Sequence, residues 1–383
     1  MASESSTPER EFLPASYYEP FISNVSKARR PSPIRGLYPL ESIPGMISLL
    51  AGKPAPQTFP VTSISVTVRS PFDLTQETQL TIKDEALAES LQYTATKGIT
   101  SLVNWMDRLQ QIYHNRYSSG EGWGISVGTG SQDLLYKAFH ALLNPGDPIF
   151  IEAPVYGGVI PILEALRCEL IDDPYYYLYY GEQERPPSYF KLETEDGHPV
   201  GQVVRFDSLS KIISAGLRLG FVSGPSRVVD AIAIHTSSAN LQTSSTAQAI
   251  AFAMLSHFGY EGFEKHTEYV SQYYRQKRDV FEAAMNEHLT GLVEWSSPVS
   301  GMFIWYVRIL RPTANSPEGD SAALIRERAV AQGVLALPGT AFFPNGQTSA
   351  YVRAAFSLLE PEDVDEAMRR LALVITEYNA EGE

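Results

Sequence analysis

The chain has 383 residues, 44% hydrophobic and 19% charged, a globular composition at a length beyond what one hydrophobic core usually serves, so a larger and a smaller domain are expected. Its 44 acidic and 30 basic side chains leave a formal charge of −14, which argues against an extended nucleic-acid surface but leaves room for a local basic pocket. One cysteine, Cys168, excludes an intrachain disulfide, no apolar run suits a membrane helix, and the polar start MASESSTPEREF lacks a secretory pattern, so a cytoplasmic location is expected.

Residues 1–45 are rich in Pro, Ser and Arg, including Arg29-Arg30-Pro31-Ser32-Pro33, and read as an irregular N-terminal arm. Leu102, Met106, Leu109 and Tyr113 recur at helical spacing, which predicts an amphipathic helix over 100–114. A short strand, Ile125-Ser126-Val127, runs into Gly128-Thr129-Gly130-Ser131-Gln132. Leu134, Leu135, Ala138, Phe139 and Leu142 then mark a second helix, stopped by Asn144-Pro145-Gly146-Asp147, before the strand Ile149-Phe150-Ile151. Strand, Gly-rich turn, helix, turn and strand make a βαβ unit, which implies a parallel sheet. Further β-rich runs stand at 203–206, 220–222, 302–307, 333–337 and 351–356. Helical stretches are expected around 226–236, 244–256, 262–289, 318–332 and 361–378, with 311–319 a surface excursion. The fold class is α/β: a large domain over 61–289 with a mainly parallel central sheet, and a smaller α+β domain built from 46–60 and 290–383.

Three stretches could carry chemistry. Asp207-Ser208-Leu209-Ser210-Lys211-Ile212-Ile213-Ser214-Ala215-Gly216-Leu217-Arg218-Leu219-Gly220 follows a buried-looking strand. A lysine just past a strand end forms a Schiff base when its amine is desolvated, and hydroxyls with an arginine bind a phosphate dianion; the plain alternative is a surface loop. Asp172-Asp173-Pro174-Tyr175 offers a carboxylate for a pyridine nitrogen and a phenol three residues on, or simply a strand-end turn. Gly128–Gln132 opens a helix whose free N–H groups favour a phosphate, although that connection is common in α/β proteins.

Together the three resemble one family, the pyridoxal-phosphate-dependent aminotransferases of fold type I (class I/II). The resemblance is to the fungal aromatic and kynurenine/α-aminoadipate branch. It is carried by ISLLAGKPAPQTFP (47–60), SVGTGSQDLLYKAF (126–139), NPGDPIFIEAPVYGG (144–158) and DDPYYYLYY (172–180). Most specific is DSLSKIISAGLRLGFVSGP (207–225), and SGMFIW (300–305), VLALPGTAFFP (334–344) and YVRAAFS (351–357) extend the match. The resemblance implies pyridoxal 5'-phosphate as cofactor and Lys211 as the Schiff-base lysine, which also carries a proton between Cα and the cofactor. It implies Asp172 against the ring nitrogen, Tyr175 on the ring oxygen and Tyr156 stacked on the ring. Ser131, Gln132, Ser208 and Arg218 would cradle the phosphate. Arg353 would grip the substrate α-carboxylate, Gly52 would lie near the substrate, and Tyr93 would reach the neighbouring active site of a homodimer.

The sequence departs from that family at one place. Cys168-Glu169-Leu170-Ile171 runs directly into Asp172, and no Asn-Pro-Thr-Gly turn occurs. The absent block is on the order of 50 residues, about one and a half βαβ units. Its loss would leave neighbouring strands unpaired, or the sheet would close up with fewer strands. The expected reaction is transamination of an aromatic amino acid or 2-aminoadipate with a 2-oxo acid, 2-oxoglutarate being the family's usual choice. The setting is primary or secondary metabolism, with no metal, nucleic acid or membrane partner. The alternatives are another reaction of the same cofactor, such as β-elimination, or a non-catalytic protein that keeps the fold.

Overall fold

The computed structural model describes residues 11–30, 37, 40, 43–45, 50, 53–147, 157–162, 175–195, 199–308, 319–343 and 346–380. The chain divides into two compact units, Met1–Asp147 with Pro186–His266, and Pro148–Arg185 with Thr267–Glu383. The division falls at Asp147, at Arg185 and inside a long helix.

In the first unit, strands β1 (Ile64–Arg69) and β2 (Glu77–Ile82) form an antiparallel hairpin with Ile64 opposite Ile82. Ile64, Val66 and Val68 alternate with polar neighbours, the period of a strand with one covered face. Ile64 of that face and Ile82 of β2 cluster with Leu87 of α1 (Asp84–Leu91), Ala249 and Ile250. Helix α2 (Thr100–His114) buries Leu102, Trp105, Met106 and Leu109, one face of a 3.6-residue period, and Trp105 stacks on Tyr260 with ring centroids 5.0 Å apart.

Next come β3 (Trp123–Gly128), α3 (Ser131–Leu142), β4 (Arg205–Ser208), β5 (Gly220–Pro225) and α4 (Ser226–Ala239). The strands lie in the order β3-β5-β4, and all residues of β4 and β5 are buried. Both pairings are antiparallel, with Gly128 and Ser208 each opposite Gly220. The α/β class holds, but the described pairings of this sheet are not the parallel ones expected. β3 and β4 share a direction, and β5 runs the other way between them because the short 209–219 turn returns the chain directly beside β4. The expected strand 149–151 and the segment 168–171 lie outside the described residues.

A buried arginine fastens the approach to β4. Arg116 is 1% exposed and donates to Glu121 Oε2 at 2.8 Å, to Glu193 Oε2 at 2.9 Å and to the Phe190 carbonyl at 2.9 Å. Its guanidinium also lies 4.0 Å from the centre of the Phe190 ring. The other oxygen of Glu193 accepts from the backbone N–H groups of Gly201, Gln202 and Val203. Every charge in the network is met by an opposite charge or a hydrogen bond, the condition under which buried ions are tolerated.

Helix α5 (Ser245–His288) breaks its helical geometry at Gly259, with φ 64 and ψ −174. The two helices expected at 244–256 and 262–289 are thus its two halves. In the second unit, β6 (Val293–Trp295), β7 (Phe303–Arg308), β8 (Leu337–Pro338) and β9 (Tyr351–Ala355) form an antiparallel sheet in the order β6-β7-β9-β8. The strand expected over 333–337 shrinks to two residues. The helix expected at 318–332 runs over 321–331, starting at Ser321–Ala323 under an Asp320 cap and continuing through the wider turns of Leu324–Ala329. Helix α6 (Pro361–Ala380) buries Val364, Met368, Leu371, Val374 and Ile375 in a core shared with Met285, Leu289, Ile304 and Val352. Each such side chain stabilises the fold by about 1.5–3 kcal/mol relative to exposure. No described helix is long and apolar enough to cross a membrane.

Candidate active site

The turn between β3 and α3 is where the first unit brings a helix start, hydroxyls and a guanidinium together. Gly130 precedes α3 with φ 85 and ψ 164, a backbone region essentially reserved for glycine. A Cβ there would stand 2.7 Å from Arg218 Nη2, so the missing side chain is what lets the guanidinium lie against the helix start. Gly220 does the same for the sheet: its Cβ would meet the Asp207 carbonyl at 2.7 Å and Ser131 N at 2.8 Å. The ends of β4 and β5 and the first turn of α3 therefore meet at one point.

Arg218 adopts φ 53, rare for a non-glycine residue. Its Nη1 donates to Ser210 Oγ at 3.2 Å and to the Ala215 carbonyl at 3.1 Å. Among the described residues its Nη2 has no protein acceptor. Ser208 Oγ accepts from Ser210 N at 3.2 Å. A guanidinium with an uncommitted N–H, two hydroxyls and a helix N-terminus at one place suit a phosphate dianion. Of the residues expected to cradle it, Ser131, Ser208 and Arg218 come together here. Gln132 is the second residue of α3.

Lys211 stands three residues beyond β4, half-buried, in a turn closed by Ile213 N and Ser214 N, which both donate to the Leu209 carbonyl at 2.9 and 3.2 Å. Leu209 N donates to the Leu219 carbonyl at 3.1 Å. From α5, His266 Nε2 donates to the Ile212 carbonyl at 2.7 Å. Burial holds this imidazole below its usual range, and the carbonyl, which can only accept, places a proton on Nε2. Under the strand, Arg205 and Asp207 form a buried bidentate pair at 2.9 and 2.6 Å. The pair stiffens the four-residue strand that delivers Lys211.

In the second unit, Tyr175 and Arg353 share an aromatic patch. Arg353 on β9 is in register with Trp305 and Leu337. Its guanidinium carbon lies 4.0 Å from the Phe303 ring centre and 4.7 Å from that of Phe342. Trp305 meets Phe342 edge-on at 4.7 Å, and Tyr175 meets Phe303 edge-on at 6.1 Å. Back in the first unit, Tyr93 is exposed and lines a cavity of about 360 Å³ together with Glu85, Glu89 and Gln92. Gly52, Tyr156 and Asp172 lie outside the described residues.

Sequence reading does not single out His266, Phe303 or Phe342. The two phenylalanines stand inside SGMFIW and VLALPGTAFFP, stretches that stand out only by resemblance. Nothing local marks His266, which meets Ile212 from 54 residues away.

The family model described as aminotransferase class I and II matches residues 170–371. The chain is 35% identical to aminotransferase tdiD of Emericella nidulans over 420 aligned positions, covering 92% of this chain and 94% of that protein. It is 30% identical to the mitochondrial kynurenine/alpha-aminoadipate aminotransferase of Bos taurus over 440 positions, covering 94% and 99%. The crystal structure of aminotransferase Aro8 from Candida albicans superposes with a TM-score of 0.81 at 18% identity, over 96% of this chain and 99% of that one, a likeness of fold.

Proposed function

The chain belongs to the class I and II aminotransferases, pyridoxal-phosphate enzymes, and on that premise we propose that it moves the amino group of an aromatic amino acid or 2-aminoadipate to a 2-oxo acid, with 2-oxoglutarate the expected acceptor. The observation that carries this reading is the meeting of Arg218, Ser208 and the α3 N-terminus beside the turn that bears Lys211. A Cβ on Gly130 would fill the space the guanidinium uses, so the cradle fits a phosphate group.

When bound, pyridoxal phosphate supplies an aldehyde that condenses with amines and a ring that takes up the electron pair left at Cα. Arg218, Ser208, Ser131 and Gln132 would hold its phosphate. Lys211 would be the amine that holds the cofactor's aldehyde and the group that moves the proton at Cα, a task suited to an amine on a short, tied turn. Asp172 would pair with the ring nitrogen, Tyr175 would serve the ring oxygen and Tyr156 would stack on the ring. Arg353 grips the substrate α-carboxylate with its planar fork, and the Phe303 and Phe342 rings beside it favour an aromatic donor. Gly52 would lie near that substrate. Tyr93 completes the partner's site in a homodimer, and the enzyme works in the cytoplasm.

The alignments run over 420 and 440 positions, more than the chain's 383 residues, which accords with a segment absent from this chain. The test is to supply the cofactor-loaded protein with 2-oxoglutarate and measure glutamate formed from phenylalanine, tyrosine, kynurenine and 2-aminoadipate. Glutamate formed from an aromatic donor or from 2-aminoadipate supports the reading and ranks the two. Cofactor binding without glutamate from any donor would leave a protein that keeps the fold and has lost the reaction.

A further inference from the structure

The stretch that carries Lys211 is tied mostly to itself. Leu209 N bonds the Leu219 carbonyl, Ile213 N and Ser214 N bond the Leu209 carbonyl, and Arg218 bonds Ser210 Oγ and the Ala215 carbonyl. All of these partners lie within residues 205–220. Among the described residues, one hydrogen bond reaches 209–217 from outside that stretch: His266 Nε2 to the Ile212 carbonyl, at 2.7 Å. It originates on α5, a long helix, and it meets the residue next to Lys211.

The chemistry of this donor suits a fixed strut. Burial disfavours the imidazolium, so the ring stays neutral and keeps one N–H, which the carbonyl takes. Phe258 flanks the ring at 5.8 Å. Ile212 itself is buried, 5% exposed, so its peptide is anchored by side-chain packing on one side and by His266 on the other. A turn held at both points confines the direction in which the Lys211 side chain leaves the backbone. Proton transfer at Cα is sensitive to such placement, since a shift near 1 Å costs on the order of 100-fold in rate.

We propose that His266 is a positioning residue of the transamination site, holding the Lys211 turn in the geometry that proton transfer requires through its bond to the Ile212 carbonyl. This rests on the aminotransferase reading of Lys211. His266 touches neither substrate nor cofactor in this role and acts through the turn alone.

The experiment compares the cofactor-loaded wild type with His266→Phe, which fills the space without a donor, and His266→Gln, which restores one. In His266→Phe, kcat should fall about tenfold while KM for the amino donor changes less than twofold. The acid–base midpoint of the cofactor's visible band should move by at least about half a pH unit. In cofactor-free protein, hydrogen exchange of the Ile213 and Ser214 amides should speed about tenfold. His266→Gln should recover most of each change. An unchanged kcat, midpoint and exchange rate in His266→Phe overturns the inference. So does a kcat loss matched by equal cofactor loss in both variants, which is a general folding defect. A wild type without a visible band overturns the functional reading and the inference together, whereas a wild-type band with an unresponsive His266→Phe overturns the inference alone.

Discussion

Replacing Gly130 by alanine should weaken cofactor binding far more than it weakens the fold. At φ 85 and ψ 164 an alanine carries backbone strain of about 1–3 kcal/mol. Its Cβ would also stand 2.7 Å from Arg218 Nη2. That atom is the tip of a flexible, exposed side chain, so the guanidinium gives way and the backbone does not. Losing a charge-assisted bond to a phosphate is worth about 1.5–3 kcal/mol. At 1.4 kcal/mol per tenfold, the cofactor Kd should rise roughly 10- to 150-fold. Gly146→Ala is the control, because Gly146 has φ 90 and a methyl group there would meet no heavy atom within 4 Å. It shares the positive φ and lacks the clash. The assay titrates cofactor-free protein with pyridoxal phosphate at the visible band, alongside thermal unfolding. Both variants should lose comparable stability, and only Gly130→Ala should bind cofactor poorly. A folded Gly130→Ala with wild-type Kd would refute the assignment of Arg218 to the phosphate. Equal weakening by Gly146→Ala would point to strain instead.

Three more outcomes follow from the same geometry. Arg116→Leu leaves Glu121 and Glu193 buried without their cation and should cost about 3–5 kcal/mol in urea unfolding; a loss under about 1 kcal/mol would contradict the network. Arg353→Lys keeps the charge and loses the planar fork stacked on Phe303, so KM for the amino donor should rise roughly tenfold with a smaller change in kcat, read by steady-state kinetics. His235 is lowered from 6.5 to about 4, first by burial and then by the Arg29 charge. The unfolded chain therefore binds this proton more readily between those values. Its contribution is present above pH 6.5 and lost as pH falls toward 4, about 2 kcal/mol after allowing for the ring's partial exposure. Unfolding measured at about pH 7.5 and pH 5 should show a shallower acid loss in His235→Asn than in wild type.

Local strings are the legible part of this sequence. Leu102, Met106 and Leu109 announce α2 because a helix buries one side per turn, and Gly128–Gln132 announces the β3–α3 turn because strand and helix periods meet there. DSLSK with Arg218 places the lysine and half the cradle within one stretch. What depends on distant partners is not legible. Antiparallel and parallel neighbours have the same local pattern, so only the return of the chain through 209–219 sets the direction of β5 beside β4. Pro338 cannot donate to a ladder, which accords with β8 ending there. The β1–β2 hairpin is missed although Ile64, Val66 and Val68 alternate with polar residues, as do Leu80 and Ile82. His266 has no sequence signal, since only the fold brings α5 to the Lys211 turn.

The most direct test of the central claim is the visible absorbance of the purified protein with pyridoxal phosphate, wild type beside Lys211→Ala. The account predicts a yellow band in wild type, absent from Lys211→Ala, that is converted when phenylalanine or 2-aminoadipate is added. A wild type that stays colourless, or a Lys211→Ala protein with the same amine-responsive band, would contradict it.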